Sequence, residues 1–305
     1  MFNAPPAQGT EVFARIPDQY RKAGQLSNER IQAGKGNPKT DSYIEGPAFD
    51  RDGNLYIVDI AFGLVYRINP QGLVQLIAEY DGEPNGLKIH RDGRIFIADH
   101  KNGLMLLDQA QGIVKPLIER YKTESFKGLN DLVFSKEGSL YFTDQGQTGL
   151  QDSSGRVFRM DSSGNVSCLL NNVPSPNGIA LNPQENVLYI AATRGNNIWR
   201  AMLLPDGSIT RVGNFIQMSG GSGPDGLAID QAGNLYVAHA GFGAVWKFSP
   251  QGEPLLRINT CAGLMTTNLA FGGKDCQDLY ITESESGSIL RTRVDTPGLH
   301  LYSHQ

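Results

Sequence analysis

A segment that repeats six times along the chain is the feature that most constrains its fold. Each copy reads as a short apolar strand, a turn containing glycine, and a second strand rich in aromatic and β-branched residues. The second copy, for example, runs from Asn85-Gly86-Leu87-Lys88-Ile89 through Asp92-Gly93 to Arg94-Ile95-Phe96-Ile97-Ala98-Asp99. The copies begin near residues 45, 85, 130, 177, 225 and 268, so successive starts lie 40 to 48 residues apart. A β-sandwich would not give six copies at this period.

Two further strands follow in most copies. Segments 63–68, 197–200 and 243–248 read as third strands, and segment 74–78 reads as a fourth. Four antiparallel strands in about 45 residues are typical of one propeller blade. The sequence therefore predicts an all-β fold, a six-bladed β-propeller. The high glycine count, 36 of 305 residues, agrees with the many tight turns that such a fold needs.

The two ends of the chain are predicted to close the ring. A propeller must leave no free strand edges, and the sixth copy is short, ending near residue 293. Segment 11–16 reads as a strand, so we expect it to supply the outer strand of the last blade. Residues 1–305 then form a single propeller domain. The polar segment 20–42 fits no blade and is interpreted as a surface loop or short helix, or as a flap over the channel mouth.

Composition argues against several classes of partner. The net charge is −4, and the 27 basic and 31 acidic residues are spread along the chain, which argues against nucleic acid. No apolar run approaches the roughly 18 residues that a membrane span needs, and residues 1–6 lack the pattern of a secretion signal. Cys168, Cys261 and Cys276 are scattered and fit no metal spacing. We expect a cytoplasmic protein with reduced cysteines, a monomer or a weak homo-oligomer.

The repeat brings polar residues to one place. The first strand of each blade lines the central channel of a propeller, so the residues at the strand starts form a ring at one mouth. That ring consists of Glu45, Asn85, Asn130, Asn177, Asp225 and Asn268. The loops between second and third strands open at the same mouth and are expected to add Asp59, His100, Gln145, Thr193, His239 and Glu283. Two carboxylates and several amide oxygens around one axis suit a hard divalent cation.

A simpler interpretation stands beside this one. Asn-Gly and Pro-Asp-Gly are common turn signals, so any single ring residue can serve only to shape a turn. The recurrence of such motifs at matching blade positions favours a site. By contrast, Gly221-x-Gly223-x-x-Gly226 matches a dinucleotide fingerprint in letters but precedes a strand instead of a helix, so it predicts no dinucleotide site.

The motifs around the ring resemble the senescence marker protein/regucalcin/gluconolactonase family of six-bladed propellers. The resemblance extends from Glu45 to Arg293 and rests on Ile44-Glu45-Gly46-Pro47, Leu129-Asn130-Asp131, Ser175-Pro176-Asn177-Gly178, Gly223-Pro224-Asp225-Gly226-Leu227-Ala228-Ile229-Asp230 and Thr266-Thr267-Asn268-Leu269-Ala270-Phe271-Gly272-Gly273. It implies a divalent metal ion on Glu45, Asn177 and Asp225, with Asn130 holding substrate or water. Ca²⁺ is the expected ion, and Zn²⁺, Mn²⁺, Mg²⁺ or Fe²⁺ are alternatives.

The resemblance also implies a lactone hydrolase, with one departure. Regucalcin-like members carry an arginine two residues before the second asparagine, where this chain has Gly128 beside Lys127. That difference puts the usual sugar lactone in doubt. Asp225 is predicted to take or guide the proton of the attacking water, and Asn130 to orient water or the substrate carbonyl. The predicted substrate contacts are Asn130, Asn85, His100, His239 and Lys127.

Three alternatives remain open from the sequence. The same ligand set suits a metal-dependent phosphotriesterase or arylesterase. A metal-binding or interaction module without catalysis is the second, because fold alone says nothing about activity. A lyase or synthase of the strictosidine synthase type is the third, and the Glu-Asn-Asp arrangement argues against it.

Overall fold

The computed structural model describes residues 4–32 and 36–304, and it confirms the six-bladed β-propeller. Blade 1 consists of Ile44–Phe49, Leu55–Asp59, Leu64–Ile68 and Val74–Glu79. Blade 2 consists of Pro84–Ile89, Ile95–Asp99, Gly103–Asp108 and Ile113–Ile118. Blade 3 consists of Leu129–Phe134, Leu140–Asp144, Gly155–Met160 and Val166–Val173.

The second half of the ring repeats the same pattern. Blade 4 consists of Pro176–Leu181, Val187–Ala192, Asn197–Leu203 and Ile209–Gln217. Blade 5 consists of Gly223–Ile229, Leu235–Ala240, Ala244–Phe248 and Pro254–Asn259. Blade 6 consists of Thr266–Gly272, Asp278–Glu283 and Ser288–Arg293, and it takes its fourth strand from the N-terminal part of the chain.

The N-terminal strand closes the ring, as predicted. Glu11–Arg15 pairs antiparallel with Ser288–Arg293 and so completes blade 6. An additional strand, Ala7–Gly9, pairs parallel with Pro254–Asn259 on the outer edge of blade 5, which the sequence did not suggest. Together the two strands cover the outer edges of neighbouring blades, edges that would otherwise expose unpaired backbone groups.

Short elements lie outside the blades. They are a short α-helix, Asn28–Gln32, the 3₁₀ turns Asp18–Tyr20, Thr193–Gly195 and Tyr302–His304, and a hairpin of Arg120–Tyr121 with Glu124–Ser125. None of the helices in the described ranges is both long enough and apolar enough to cross a bilayer.

The core lies between neighbouring blades. Second strands such as Leu55–Asp59 and Leu235–Ala240 are buried along their whole length, because each is covered on both faces by an adjacent blade. This explains why these strands read as continuous apolar runs in the sequence instead of alternating. Tyr56, Tyr66 and Tyr236 are fully buried among them. Burial of each large apolar side chain contributes about 1.5–3 kcal/mol.

A β-bulge in every first strand aims the ring residues at the channel. In all six blades the pairing of the first with the second strand shifts register at the ring residue or beside it, between Glu45 and Ala48 in blade 1 and between Pro224 and Leu227 in blade 5. Bulges of this kind turn side chains away from the regular alternation and are frequent next to functional sites.

The glycine after a ring residue is required by the closeness of the next blade. A Cβ on Gly178 would lie 2.3 Å from the Asp225 carbonyl oxygen, and one on Gly226 would lie 2.1 Å from Asn268 Oδ1. Both distances are far inside van der Waals contact. Neighbouring first strands therefore approach closely enough for ring residues to share hydrogen bonds only because these positions carry no side chain.

The far end of the channel is covered by residues near the C-terminus. The Leu299 backbone N–H donates to the Ile229 carbonyl oxygen at 2.9 Å, and Leu299 and Leu301 line a small cavity of about 70 Å³ that also touches Lys88. The channel is therefore accessible to a ligand of substrate size from the opposite mouth, where the ring residues lie.

Candidate metal centre

Five of the six ring residues line one cavity at the channel mouth. The cavity measures about 470 Å³. Its walls are formed by Tyr43, Glu45, Ile60, Asn85, Asn130, Gln145, Asn177, Thr193, Arg194, Ser222, Asp225, Ala240 and Met265. The sixth ring residue, Asn268, is buried beside it and donates a hydrogen bond to Glu45. The structure thus brings together the predicted residues Glu45, Asn85, Asn130, Asn177 and Asp225.

The Asn130 side chain is oriented by a chain of hydrogen bonds. Its Nδ2 donates to Gln145 Oε1 at 2.9 Å, and Gln145 Nε2 donates in turn to Ser175 Oγ at 2.9 Å. Because the amide nitrogen is used in this way, the amide oxygen is the atom left for the cavity. Asn130 Oδ1 is buried and has no hydrogen-bond partner within the described residues.

Two more oxygen atoms share that condition. Asn177 Oδ1 and Asp225 Oδ1 are both buried without a hydrogen-bond partner in the described part of the chain. A buried polar atom without a partner costs free energy, and most such atoms in folded proteins are paired. Three of them at one end of one channel form a set of acceptors that a cation or ordered water can satisfy.

Glu45 is held by its neighbours in the ring. Its Oε2 accepts a hydrogen bond from the Gly46 backbone N–H at 2.7 Å and another from Asn268 Nδ2 at 2.8 Å. Burial, together with the nearby charge of Asp131, raises the pKa of Glu45 from 4.5 to about 8. Burial and the charges of Glu45 and Asp131 also raise the pKa of Asp225 well above its usual value. The two carboxylates therefore repel each other in a poorly solvated space.

These features fit a divalent cation of the hard type. A cation, together with water bound to it, would satisfy the unpaired oxygen atoms of Asn130, Asn177 and Asp225 and offset the repulsion between Asp225 and Glu45. The described residues contain no cluster of three or more His, Cys, Asp or Glu side chains able to bind a metal, so a cation at this site would need amide oxygens among its ligands. Carboxylate and amide oxygens are the ligands that hard divalent cations prefer.

A third buried carboxylate and a lysine lie beneath the ring. Asp131 is 2% exposed, and its Oδ2 lies 3.4 Å from Asn268 Nδ2, the same nitrogen that donates to Glu45. Lys88 Nζ lies 3.8 Å from Asp131 Oδ1. Asp131 therefore adds a third carboxyl group beneath Glu45 and Asp225, with the Lys88 amine beside it.

Three of the predicted substrate contacts do not line the cavity. Lys127 Nζ donates to the Ser154 carbonyl oxygen at 2.9 Å on the surface. His239 Nε2 donates to the Gly220 carbonyl oxygen at 2.9 Å, and its Nδ1 accepts from Trp246 Nε1 at 3.2 Å, so both nitrogens of a neutral ring are occupied. Burial lowers the pKa of His239, which agrees with a neutral ring.

The third of these contacts, His100, packs against Gly128. A Cβ on Gly128 would lie 2.3 Å from His100 Cε1, and Gly128 has a φ of +146°. A larger residue at position 128, such as the arginine of regucalcin-like members, therefore requires the His100 ring to move.

The carboxylates at the ends of second strands have a structural use. Asp59 Oδ2 accepts a hydrogen bond from Ser42 Oγ at 2.7 Å, and Glu283 Oε1 accepts one from the Met265 backbone N–H at 3.1 Å. They hold the loops around the mouth. Of the predicted loop residues, Gln145 and Thr193 do line the cavity.

The described C-terminal part of segment 20–42 lies beside the mouth, the position that the flap interpretation requires. Gly36, Asn37 and residues 39–43 line a neighbouring cavity of about 620 Å³, which shares Tyr43 and Met265 with the first cavity. Arg21 anchors the segment by pairing with Asp41 at 2.6 Å. Residues 33–35 of the segment are outside the described ranges.

Sequence reasoning missed several residues of the site, namely Tyr43, Lys88, Asp131, Arg194 and Met265. Asp131 and Tyr43 each lie within two residues of a ring position, which was the available signal. Lys88 is the one charged residue in the first strand Pro84–Ile89. Arg194 and Met265 are on loops, and no pattern in the sequence marks them.

Comparison with known proteins confirms the resemblance. Residues 44–285 match the family model described as SMP-30/Gluconolactonase/LRE-like region. A gluconolactonase of Zymomonas mobilis is 35% identical over 199 residues, which cover 60% of this chain and only 54% of that protein. Lactonase drp35 of Staphylococcus aureus is 32% identical over 225 residues, covering 70% of this chain and 69% of that protein.

Solved structures share the fold. Regucalcin from Agrobacterium tumefaciens, described as a calcium-binding protein, superimposes with a TM-score of 0.79 at 22% identity over 99% of this chain and 100% of that one. A gluconolactonase from Xanthomonas campestris gives a TM-score of 0.74 at 22% identity over 95% and 98% of the two chains. Since the family model covers well over half of its residues, this chain belongs to the SMP-30/gluconolactonase/LRE-like family.

Proposed function

We propose that this protein hydrolyses a lactone with the help of one divalent cation, Ca²⁺ in the first instance, held by Glu45, Asn177 and Asp225. The observation that carries the proposal is the set of three buried, unpartnered oxygen atoms, Asn130 Oδ1, Asn177 Oδ1 and Asp225 Oδ1, around one end of the channel. The relatives named gluconolactonase and lactonase support the reaction type. The description of the regucalcin neighbour as calcium-binding supports the choice of ion.

The reaction adds water to an ester carbonyl and breaks the ring C–O bond. A divalent cation, when bound, supplies Lewis-acid activation of the carbonyl and of water. Asp225 lines the cavity, and its carboxylate would take or guide the proton of the attacking water while bound to the cation or beside it. Asn130 Oδ1, fixed by Gln145, orients that water.

Tyr43 is suited to bind the lactone as a hydrogen-bond donor. Burial and the negative charges of Asp225 and Glu45 raise the pKa of Tyr43, so its hydroxyl stays protonated at neutral pH. It lines the same cavity as the carboxylates. The ring oxygen becomes an alkoxide when the C–O bond breaks, and a proton from solvent or from the Asp225 carboxylic acid completes the hydroxy acid product.

Metal analysis followed by a substrate screen tests the proposal. The purified protein is analysed for bound metals, stripped with a chelator, reloaded with Ca²⁺ and assayed on γ- and δ-lactones, an aryl ester and a phosphotriester. We expect lactone hydrolysis that depends on the added ion and is lost in Asp225→Asn. The exposed turn residue Asp206, replaced in Asp206→Asn, is the matched control.

Each other outcome of the screen identifies an alternative. Faster turnover of the phosphotriester or the aryl ester than of any lactone would contradict a lactonase and favour the second enzyme class. Tight Ca²⁺ binding with no hydrolysis across the screen would contradict an enzyme and favour a metal-binding module.

A further inference from the structure

Arg194 is the single cationic side chain among the described residues that line the candidate site. The other lining residues are acidic, amide, hydroxyl or apolar. Arg194 is exposed at the rim, on the loop that follows the second strand of blade 4. It therefore stands between the first strands of blades 4 and 5, which carry Asn177 and Asp225.

The backbone that carries Arg194 is held firmly. Thr193 Oγ1 donates to the Pro224 carbonyl oxygen at 2.7 Å, and the Thr193 backbone N–H donates to the Ser175 carbonyl oxygen at 3.1 Å. Asn196 closes the 3₁₀ turn with a left-handed φ of +50°, its N–H donating to the Thr193 carbonyl oxygen at 3.0 Å. The guanidinium thus extends from a fixed turn that is bonded to the residue preceding Asp225.

The charge of Arg194 has no partner in the described part of the chain. No hydrogen bond, ion pair within 4.0 Å or aromatic contact involves its side chain. Other arginines on this face are engaged: Arg156 contacts Asp144 at 2.6 Å, and Arg21 contacts Asp41 at 2.6 Å. Asp225 and Glu45 line the same cavity, yet neither pairs with Arg194. An arginine is charged at any physiological pH, so this guanidinium is available to a ligand.

We propose that Arg194 binds an anionic substituent, a carboxylate or a phosphate, on the lactone that the enzyme opens. The inference rests on the proposed function and adds to it the class of substrate. A guanidinium donates two parallel N–H hydrogen bonds to a carboxylate or a phosphate. A neutral lactone offers no such pair of charged acceptor oxygens. The cavity measures about 470 Å³, which is large enough for a six-membered lactone at the ring residues and a substituent that extends to the rim.

Kinetics on matched lactones test the assignment. We compare kcat/KM for δ-gluconolactone with that for a glucarolactone, which carries a carboxylate, and for a 6-phosphorylated gluconolactone. The wild-type enzyme is expected to prefer at least one anionic lactone by about tenfold or more. Arg194→Met is expected to remove that preference, mainly through KM, and Arg194→Lys to retain part of it. The two anionic lactones distinguish a carboxylate from a phosphate.

A matched control and a binding measurement separate this inference from the proposed function. Arg211→Met removes an exposed arginine on the outer strand of the same blade, and we expect its kinetics to equal those of the wild type. Calorimetry on protein stripped of metal with a chelator compares the affinities for tetrahydropyran-2-carboxylate and tetrahydropyran-2-methanol, neither of which is hydrolysed. Arg194→Met is expected to weaken binding of the carboxylate about tenfold relative to the alcohol.

The outcomes are distinct. If the wild type opens neutral and anionic lactones with equal kcat/KM, or if Arg194→Met lowers both equally, the role of Arg194 is refuted while lactone hydrolysis stands. If no lactone is opened but Arg194 still governs binding of the carboxylate, the proposed function fails and the anion site stands.

Discussion

Replacement of Lys88 by methionine tests how the charge of the site is balanced. Lys88 lies beneath the ring, 19% exposed, with its Nζ 3.8 Å from Asp131 Oδ1. Asp131 in turn lies near Asn268, which donates to Glu45. Methionine keeps the length and apolar stem of the side chain but removes the charge, so Asp131 and the two ring carboxylates lose the cationic group beside Asp131.

The expected cost follows from that separation. At 3.8 Å, an effective dielectric constant of about 20 gives an attraction of about 4 kcal/mol between unit charges. Lys88 pays a desolvation cost that methionine avoids, and that saving offsets roughly half of the lost attraction. We therefore expect a loss of about 2 kcal/mol in the free energy of unfolding near neutral pH. Burial raises the pKa of Asp131 and Lys88 lowers it. The loss is therefore larger at high pH, where Asp131 is charged, than at low pH, where protonated Asp131 needs no cation.

Urea denaturation of wild type and Lys88→Met measures this difference. The two proteins are compared in chelator and in Ca²⁺, at about pH 5 and about pH 8. We expect Ca²⁺ to raise the stability of Lys88→Met more than that of the wild type, because a cation in the ring replaces part of the positive charge that Lys88 supplied. Lys101→Met is the control, since Lys101 pairs with the exposed Asp81 and such pairs contribute at most about 1 kcal/mol. Equal losses in Lys88→Met and Lys101→Met, independent of pH and Ca²⁺, would refute the charge balance.

Three further predictions concern the ring and its supports. Gly226→Ala places a Cβ 2.1 Å from Asn268 Oδ1, so we expect urea denaturation to show a loss of about 1–3 kcal/mol in the free energy of unfolding. In the control Gly213→Ala the new Cβ has no atom within 4 Å, and its stability should stay close to that of the wild type. Equal stabilities of the two variants would contradict the close approach of the blades. His239→Gln is expected to lower stability at neutral pH while leaving the pH profile of hydrolysis unshifted, because both ring nitrogens are already bonded; a shifted profile would indicate a catalytic histidine. The third concerns Glu45 in protein stripped of metal by a chelator. Its raised pKa means that protonated Glu45 contributes stability at low pH, which is lost as the pH rises through about 8, so the melting temperature is expected to fall from about pH 5 to about pH 8.5. A melting temperature that rises over this range would count against the buried position of Glu45.

The blades and most of the ring could be predicted from the sequence because they repeat. A copy such as Asn177-Gly178-Ile179-Ala180-Leu181 recurs at a fixed period, and the first strand of every blade has the same place in a propeller. The glycine after the ring residue belongs to this pattern. Only the structure shows why it is needed: a Cβ on Gly178 would lie 2.3 Å from the backbone of the next blade.

The supports of the ring could not be predicted, because they depend on contacts between blades. In a regular strand Asn130 and Asp131 would point to opposite faces. The register shift between Leu129 and Leu132 breaks that alternation, so both residues act on the same channel. Arg194 reaches the cavity from a loop that is held by a hydrogen bond to Pro224 in the next blade. The repeat pattern of the sequence does not predict the path of that loop.

The measurement that tests the central claim most directly is lactone hydrolysis by the chelated protein before and after Ca²⁺ is restored, in the wild type and in Asp225→Asn. The proposed site predicts that the wild type loses activity in chelator and recovers it with Ca²⁺, and that Asp225→Asn, although folded, recovers little or none. Undiminished lactone hydrolysis by chelated wild-type protein or by chelated Asp225→Asn would contradict a reaction that depends on a cation held by Glu45, Asn177 and Asp225.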